Sequence, residues 1–247
     1  MKQLRWVVPA LCLLFLVVYI IWAKPAWFFE NGPALLGWVA FILSVAYQRF
    51  DAVYWKVQKW VYAVRNPDTQ WDLTVTYQGS KIDLSVLDTV REALCQAAEL
   101  DRPTVRIISE QRFELRADEL FLEVSVAGLG DVGSLDIMVS KLPVSFRRAT
   151  YTIENRLAPI LEAVEQGISV KEKRYWLTAY FGKVNPYFGL YLRRLRPESV
   201  KEVHVKVVNN NGEALTIARE KITIFACSLG ELSKDARKFL TLSEMPA

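Results

Sequence analysis

The densest chemistry in this sequence lies between Tyr175 and Arg196. Tyr175, Trp176, Tyr180, Phe181, Tyr187, Phe188 and Tyr191 are followed by Arg193, Arg194 and Arg196, and Arg147 and Arg148 open the preceding helical region. Aromatic faces stack bases, and guanidinium forks hold phosphates at two points. Arg147, Arg148, Tyr180, Tyr187, Tyr191, Arg193, Arg194 and Arg196 therefore form a candidate site for a nucleotide or another small anionic ligand. On a strand Arg193 and Arg194 point to opposite faces, so both cannot line one. Two other readings of these residues stay open. They could contact lipid phosphates or a protein partner, or they could be plain core and surface residues.

The remaining motifs are weaker. Gly128-Leu129-Gly130-Asp131-Val132-Gly133 matches the dinucleotide-binding glycine pattern, but the segment after it, SLDIMVS, alternates as a strand. A phosphate-binding turn needs a helix there, so the motif reads as a hairpin turn. His204 is the only histidine and alternates with valines in VHVKV, the pattern of a strand residue. Cys12, Cys95 and Cys227 are far apart and fall on apolar patterns, which fits free buried thiols in a reducing compartment. The carboxylates form no metal-binding or paired acid–base spacing; Asp118-Glu119 reads as a solvated turn. The sequence therefore assigns no catalytic residue, metal or cofactor, and a non-enzyme is expected.

The elements that must carry these residues divide in three: residues 1–48, 49–68 and 69–247. The chain has 247 residues, 52% of them hydrophobic, 23% charged, with a net charge of +4 and a mean hydropathy of +0.13. Such a composition excludes a disordered tail, a collagen-like fibre and a disulfide scaffold. Trp6 to Ala23 and Asn31 to Gln48 are each 18 residues without a charge, joined by the short link Lys24 to Glu30. They read as a two-helix transmembrane hairpin. Lys2 and Arg5 before it, and Arg49, Lys56, Lys59 and Arg65 after it, place both termini in the cytoplasm. The expected location is a cell membrane crossed twice. The first stretch also reads as a cleavable signal peptide, and the second as a buried helix of a globular domain. Neither stretch carries an ionisable side chain, which disfavours a pump or ion-coupled transporter.

Phe50 to Arg65 has apolar residues at spacings of three and four, the period of an amphipathic helix. Trp22, Trp27, Trp55, Lys56, Lys59 and Trp60 are the candidate membrane-interface residues. A helix that packs on the following domain is the alternative. Asn66-Pro67-Asp68 ends this connector.

Residues 69 to 247 predict a mainly antiparallel α+β domain with two or three helices. Strands are expected at 71–78, 104–108, 112–116, 120–127, 134–140, 173–182, 188–195, 200–208 and 214–226. Helices are expected at about 83–100, 150–166 and 230–240, the second interrupted at Pro159. The element order suggests two helix-plus-four-strand units. Residues 66–140 carry 6 basic and 14 acidic side chains, residues 141–206 carry 13 and 6, and residues 207–247 carry 5 of each. The sum near zero argues against long nucleic acid as partner, while the opposed halves suit contact between subunits of a homo-oligomer.

Two uncharged N-terminal stretches followed by a strand-rich domain resemble the two-transmembrane, β-strand-rich membrane effectors of bacterial cyclic-oligonucleotide anti-phage defence. That resemblance implies a sensor domain that binds a nucleotide signal and oligomerises so that the spans act on membrane lipid. A structural subunit or scaffold recruiting a protein partner to the membrane is the other function the sequence supports.

Overall fold

The structure, a computed structural model, describes residues 18, 22, 25–79, 82–96, 103–127, 133–182, 185–192, 205–209 and 212–243. The chain divides into two units, residues 1–54 and 55–247.

The first unit holds helix α1, Pro25–Arg49, and the start of α2, Asp51–Arg65. The transmembrane hairpin expected over residues 1–48 is not supported. Among the described residues no helix is long and apolar enough to cross a membrane. Within α1 the apolar run from Ala34 to Ala46, interrupted only by Gly37 and Ser44, rises about 20 Å, against a hydrocarbon core of about 30 Å. Asn31 stands before it and Gln48 and Arg49 after it. Of the first uncharged stretch only Val18 and Trp22 are described, both helical and exposed. The location as a twice-crossed membrane protein is corrected on the same ground. What remains of the expected class is the α+β domain.

That domain is built on one nine-stranded antiparallel sheet. Its strands are β1 (Asp68–Gly79), β2 (Thr104–Ser109), β3 (Arg112–Ala117), β4 (Leu120–Ala127), β5 (Gly133–Ser145), β6 (Glu172–Tyr180), β7 (Val205–Asn209), β8 (Gly212–Ile217) and β9 (Lys221–Ala226). They lie in the order β2-β3-β4-β5-β1-β6-β9-β8-β7. Alternation sets the faces. Trp71, Leu73, Val75 and Tyr77 of the central β1 are buried, while Asp72, Thr74, Thr76 and Gln78 between them are half-buried. The inner face is covered by helices α3 (Ser85–Gln96), α4 (Ala158–Gly167) and α6 (Leu229–Leu240). Each presents an apolar stripe, such as Leu87, Val90 and Leu94 of α3. Asp83 caps α3 by accepting from the Ser85 N–H at 2.9 Å.

The two expected four-strand units are joined to β1 differently. β5, the last strand of the first, pairs with β1; in the second it is β6, the first strand. Counted from β1 and from β6 instead, each half runs strand, helix and meander, with the last strand, β5 or β9, returning to pair with the first. Two further differences have local causes. The segment 188–195 was expected as a strand, but Pro186–Leu192 is helix α5. Asn185 caps it, accepting from the Phe188 N–H at 2.8 Å, and Pro186 occupies its first position, where a missing N–H costs nothing. The single strand expected over 214–226 is the β8–β9 hairpin, closed where the Ala218 N–H donates to the Lys221 carbonyl at 2.9 Å. The expected interruption at Pro159 takes the form of a π-turn over Thr152–Leu157. Pro159 cannot donate to Asn155, and the Ala158 N–H instead reaches back to Ile153. Gly133, the last glycine of the 128–133 motif, opens strand β5, and a Cβ there would collide with the Ile82 carbonyl. Cys95 and Cys227 are exposed rather than buried.

Candidate functional site

Four adjacent strands bring basic residues to one end of the sheet. β1 starts there and β5 and β6 end there, with Asp68 opposite Ser145 and Gln70 opposite Tyr180. β9 starts there too, with Lys221 opposite Tyr180. Three strand spacings of about 4.8 Å make this end about 14 Å wide.

The end of β5 is tied to α2. The Phe146 N–H donates to the Pro67 carbonyl at 3.1 Å, and the Arg147 N–H to Asn66 Oδ1 at 2.9 Å. Asn66 adopts the left-handed conformation, φ 44°, that closes a helix end. Arg147 Nε donates to the Ala63 carbonyl at 2.8 Å, a last-turn carbonyl with no donor inside the helix. Tyr62 packs edge-on against Phe146 and Phe181, with centroids 5.5 and 6.4 Å away, and its burial pushes the phenol up to about 12.

The β8–β9 turn is held from below by Asn185, whose side chain is fully buried. Its Nδ2 donates to the Ala218 carbonyl and, at 3.4 Å, to that of Lys221. Its backbone N–H donates to Arg219 at 2.9 Å, and the Phe181 N–H donates to Glu220 at 2.8 Å. Arg219 and Lys221 are thereby presented outward beside Tyr180. The Lys221 ammonium lies 6.0 Å from the Tyr180 ring centre, and burial, with the Asp72 carboxylate nearby, raises that phenol. Asp72 sits at the bulge in β1 and accepts from the Lys141 N–H at 2.8 Å, which adds Lys141 to this end.

Among the described residues six cations, Arg65, Lys141, Arg147, Arg148, Arg219 and Lys221, therefore stand against three carboxylates, Asp68, Asp72 and Glu220, toward this end of the four strands. Guanidinium and ammonium donors so placed can hold an anion, and the exposed Tyr180 ring can flank it.

Of the residues singled out in the sequence, Arg147, Arg148 and Tyr180 lie at this end of the sheet. Tyr187 does not. It is buried against Trp55 and Phe239, with ring centres 4.7 and 5.8 Å away, and its hydroxyl donates to the Lys238 carbonyl at 3.4 Å. Arg193, Arg194, Arg196 and His204 lie outside the described residues, as do the side chains of Tyr191 and Trp27. Trp55 faces inward, whereas Trp22, Lys56, Lys59 and Trp60 are exposed. Arg65, Lys141, Arg219, Lys221 and Asn185 were not among the candidates; the Asn185-Pro186 pair and the Arg219-Glu220-Lys221 turn were the available signals.

A second polar cluster lies at the opposite end of the same strands. Glu165 of α4 accepts from the hydroxyls of Tyr77, at 3.3 Å, and Tyr175, and pairs with the Lys173 ammonium. The two rings meet edge-on with centres 6.3 Å apart. Desolvation and the neighbouring carboxylate raise both phenols well above the usual tyrosine range. Its members satisfy one another, so it reads as a clamp holding α4 to the sheet. Among the described residues no group of three or more metal-ligating side chains occurs. Comparison with models of known protein families and with curated proteins finds no match.

Proposed function

We propose that this chain is a non-enzymatic sensor or effector whose sheet domain takes a phosphate-bearing anionic ligand at its basic strand end. The observation that carries the reading is convergence: Arg147 and Arg148 after β5, and Arg219 and Lys221 at the β8–β9 turn, are distant in sequence yet lie at the same end of four adjacent strands, with the exposed Tyr180 of β6 between them. The resemblance to membrane effectors is not the support, since the expected spans are withdrawn. It contributes only a ligand panel, because cyclic oligonucleotides combine phosphates with bases that stack on an aromatic ring.

The test is calorimetric titration of the full chain with cyclic dinucleotides and trinucleotides, linear nucleotides and inorganic phosphate. Binding that weakens with salt and falls at least about tenfold in Arg148→Glu/Arg219→Glu supports the reading. Binding unchanged by that pair of reversals, or no binding across the panel, sinks it. The scaffold reading is favoured by one other observation. The outer sheet face sets Met138, Trp176 and Phe225 in a single row across β5, β6 and β9, separated only by Thr74 of β1, and such a row suits a protein surface.

A further inference from the structure

β2 forms one end of the sheet, and among the described strands nothing pairs with its outer side. The inner apolar layer runs out from under the helices at this edge. Phe113 of β3 is 4% exposed, yet Ile107, opposite it on β2, is 67% exposed. Ile108, at the bulge in the same strand, is 42% exposed. Sheet edges are usually guarded by several charges or a proline; β2 carries one charge, Arg106, and no proline. An edge strand that no described strand covers, flanked by exposed isoleucines, is a template for another strand.

We propose that the occupant is a second copy of this chain, with the two β2 strands pairing antiparallel about a two-fold axis. The charges argue for a copy rather than a different peptide. With the axis on Ile108, Arg106 of each chain stands opposite Glu110, the first residue of the other chain's β2–β3 turn, giving two identical ion pairs. Ile108 then meets its own counterpart, and Ile107 carries the apolar layer toward the second sheet. The pairing joins two nine-stranded sheets into one and leaves the basic strand end of each copy outside the seam. It is independent of the proposed ligand.

The experiment is sedimentation equilibrium of the full chain from about 1 to about 100 µM, the range in which a pairing of modest affinity is read. The wild type is expected to associate to a dimer. Glu110→Arg is expected to weaken that dimer about tenfold or more, and Arg106→Glu/Glu110→Arg to restore it. Arg106 also faces Glu114 within its own sheet, so Ile108→Lys, which leaves that pair untouched, serves as the independent variant. In a background with Cys12, Cys95 and Cys227 changed to Ser, Ile108→Cys is expected to form an intermolecular disulfide on oxidation and Thr104→Cys is not. A monomer at every concentration overturns the proposal. So does a dimer that survives Glu110→Arg and Ile108→Lys unchanged.

Discussion

Replacing Asn185 tests the link between the core and the basic strand end most directly. Its side chain is 0% exposed and accepts from Phe188 at 2.8 Å while donating to Ala218 and Lys221. Asn185→Ala leaves the Phe188 N–H and the Ala218 carbonyl without this partner at a buried position. At about 1–3 kcal/mol for each stranded group, and with the 3.4 Å bond worth little, the loss is about 3 kcal/mol. A domain of this size then melts about 6–12 °C lower. Asn185→Asp is the sharper variant. One carboxylate oxygen keeps the Phe188 bond, but the other faces two carbonyl oxygens, which burial and repulsion make costly while it is ionised. A rise of about three pK units corresponds to about 4 kcal/mol at neutral pH. A folded-state pKa above the unfolded value means that stability is lost as pH rises past about 3.9. The deficit relative to wild type should therefore shrink from about pH 7 to about pH 4.5, where the protonated acid can donate as the amide did. Thermal melts followed by circular dichroism at both pH values read this out. If Asn185→Asp melts with the wild type at neutral pH, the amide does not hold the turn as described. The positioning of Arg219 and Lys221 would then need another explanation.

Glu165→Ala should cost about 2–4 kcal/mol in chemical denaturation, because Tyr77 and Tyr175 lose their common acceptor inside the fold, whereas Glu165→Gln should cost clearly less. Equal losses would show that the carboxylate is not the shared partner. Stability should fall above about pH 10, by up to about 1.4 kcal/mol per pH unit for each buried phenol. Folding raises the pKa of Tyr62, Tyr77 and Tyr175, so the unfolded chain ionises first. Melts that stay level from about pH 9 to about pH 11 would refute that. Tyr187→Ala should cost about 3–5 kcal/mol in chemical denaturation by opening a cavity between Trp55 and Phe239, and a loss below about 1 kcal/mol would show that the ring is not packed there.

Where one physical rule decides the backbone, the sequence was legible. β3 and β4 follow strict alternation within about one residue of the expected bounds, and α6 follows its stripe of Leu232, Ala236, Phe239 and Leu240 behind the Ser228 cap. It misled where two rules compete. Between Tyr187 and Leu192 aromatic bias argues for a strand, but the Asn185 cap and Pro186 impose a helical start, and the start prevails. Over 214–226 the apolar alternation passes through Arg219 and Glu220 without a glycine or proline to mark the turn, so one strand was read where two are folded back. The second uncharged stretch misled for a further reason. Absence of charge is necessary for a span but not sufficient, and a run cut to Ala34–Ala46 by polar neighbours falls short in length.

The candidate site was only partly legible, because its positive charge belongs to the topology rather than to any segment. Along the chain local density dominates, and the cluster after Tyr191 outweighs everything else. Read across the sheet, Arg148 and Lys221 have 72 residues between them yet sit on strand ends only three spacings apart. What brings them together is that β1, first in sequence, lies in the middle and accepts β5 and β6 on either side. The same topology sends the apolar β2 to the far edge, away from the basic end. Ligand contact and self-association would then use separate surfaces of one sheet, and a variant at either should leave the other intact. Measuring both in Arg148→Glu/Arg219→Glu and in Ile108→Lys decides this: loss of both properties in either variant would mean that the two surfaces are coupled or that the sheet itself has failed.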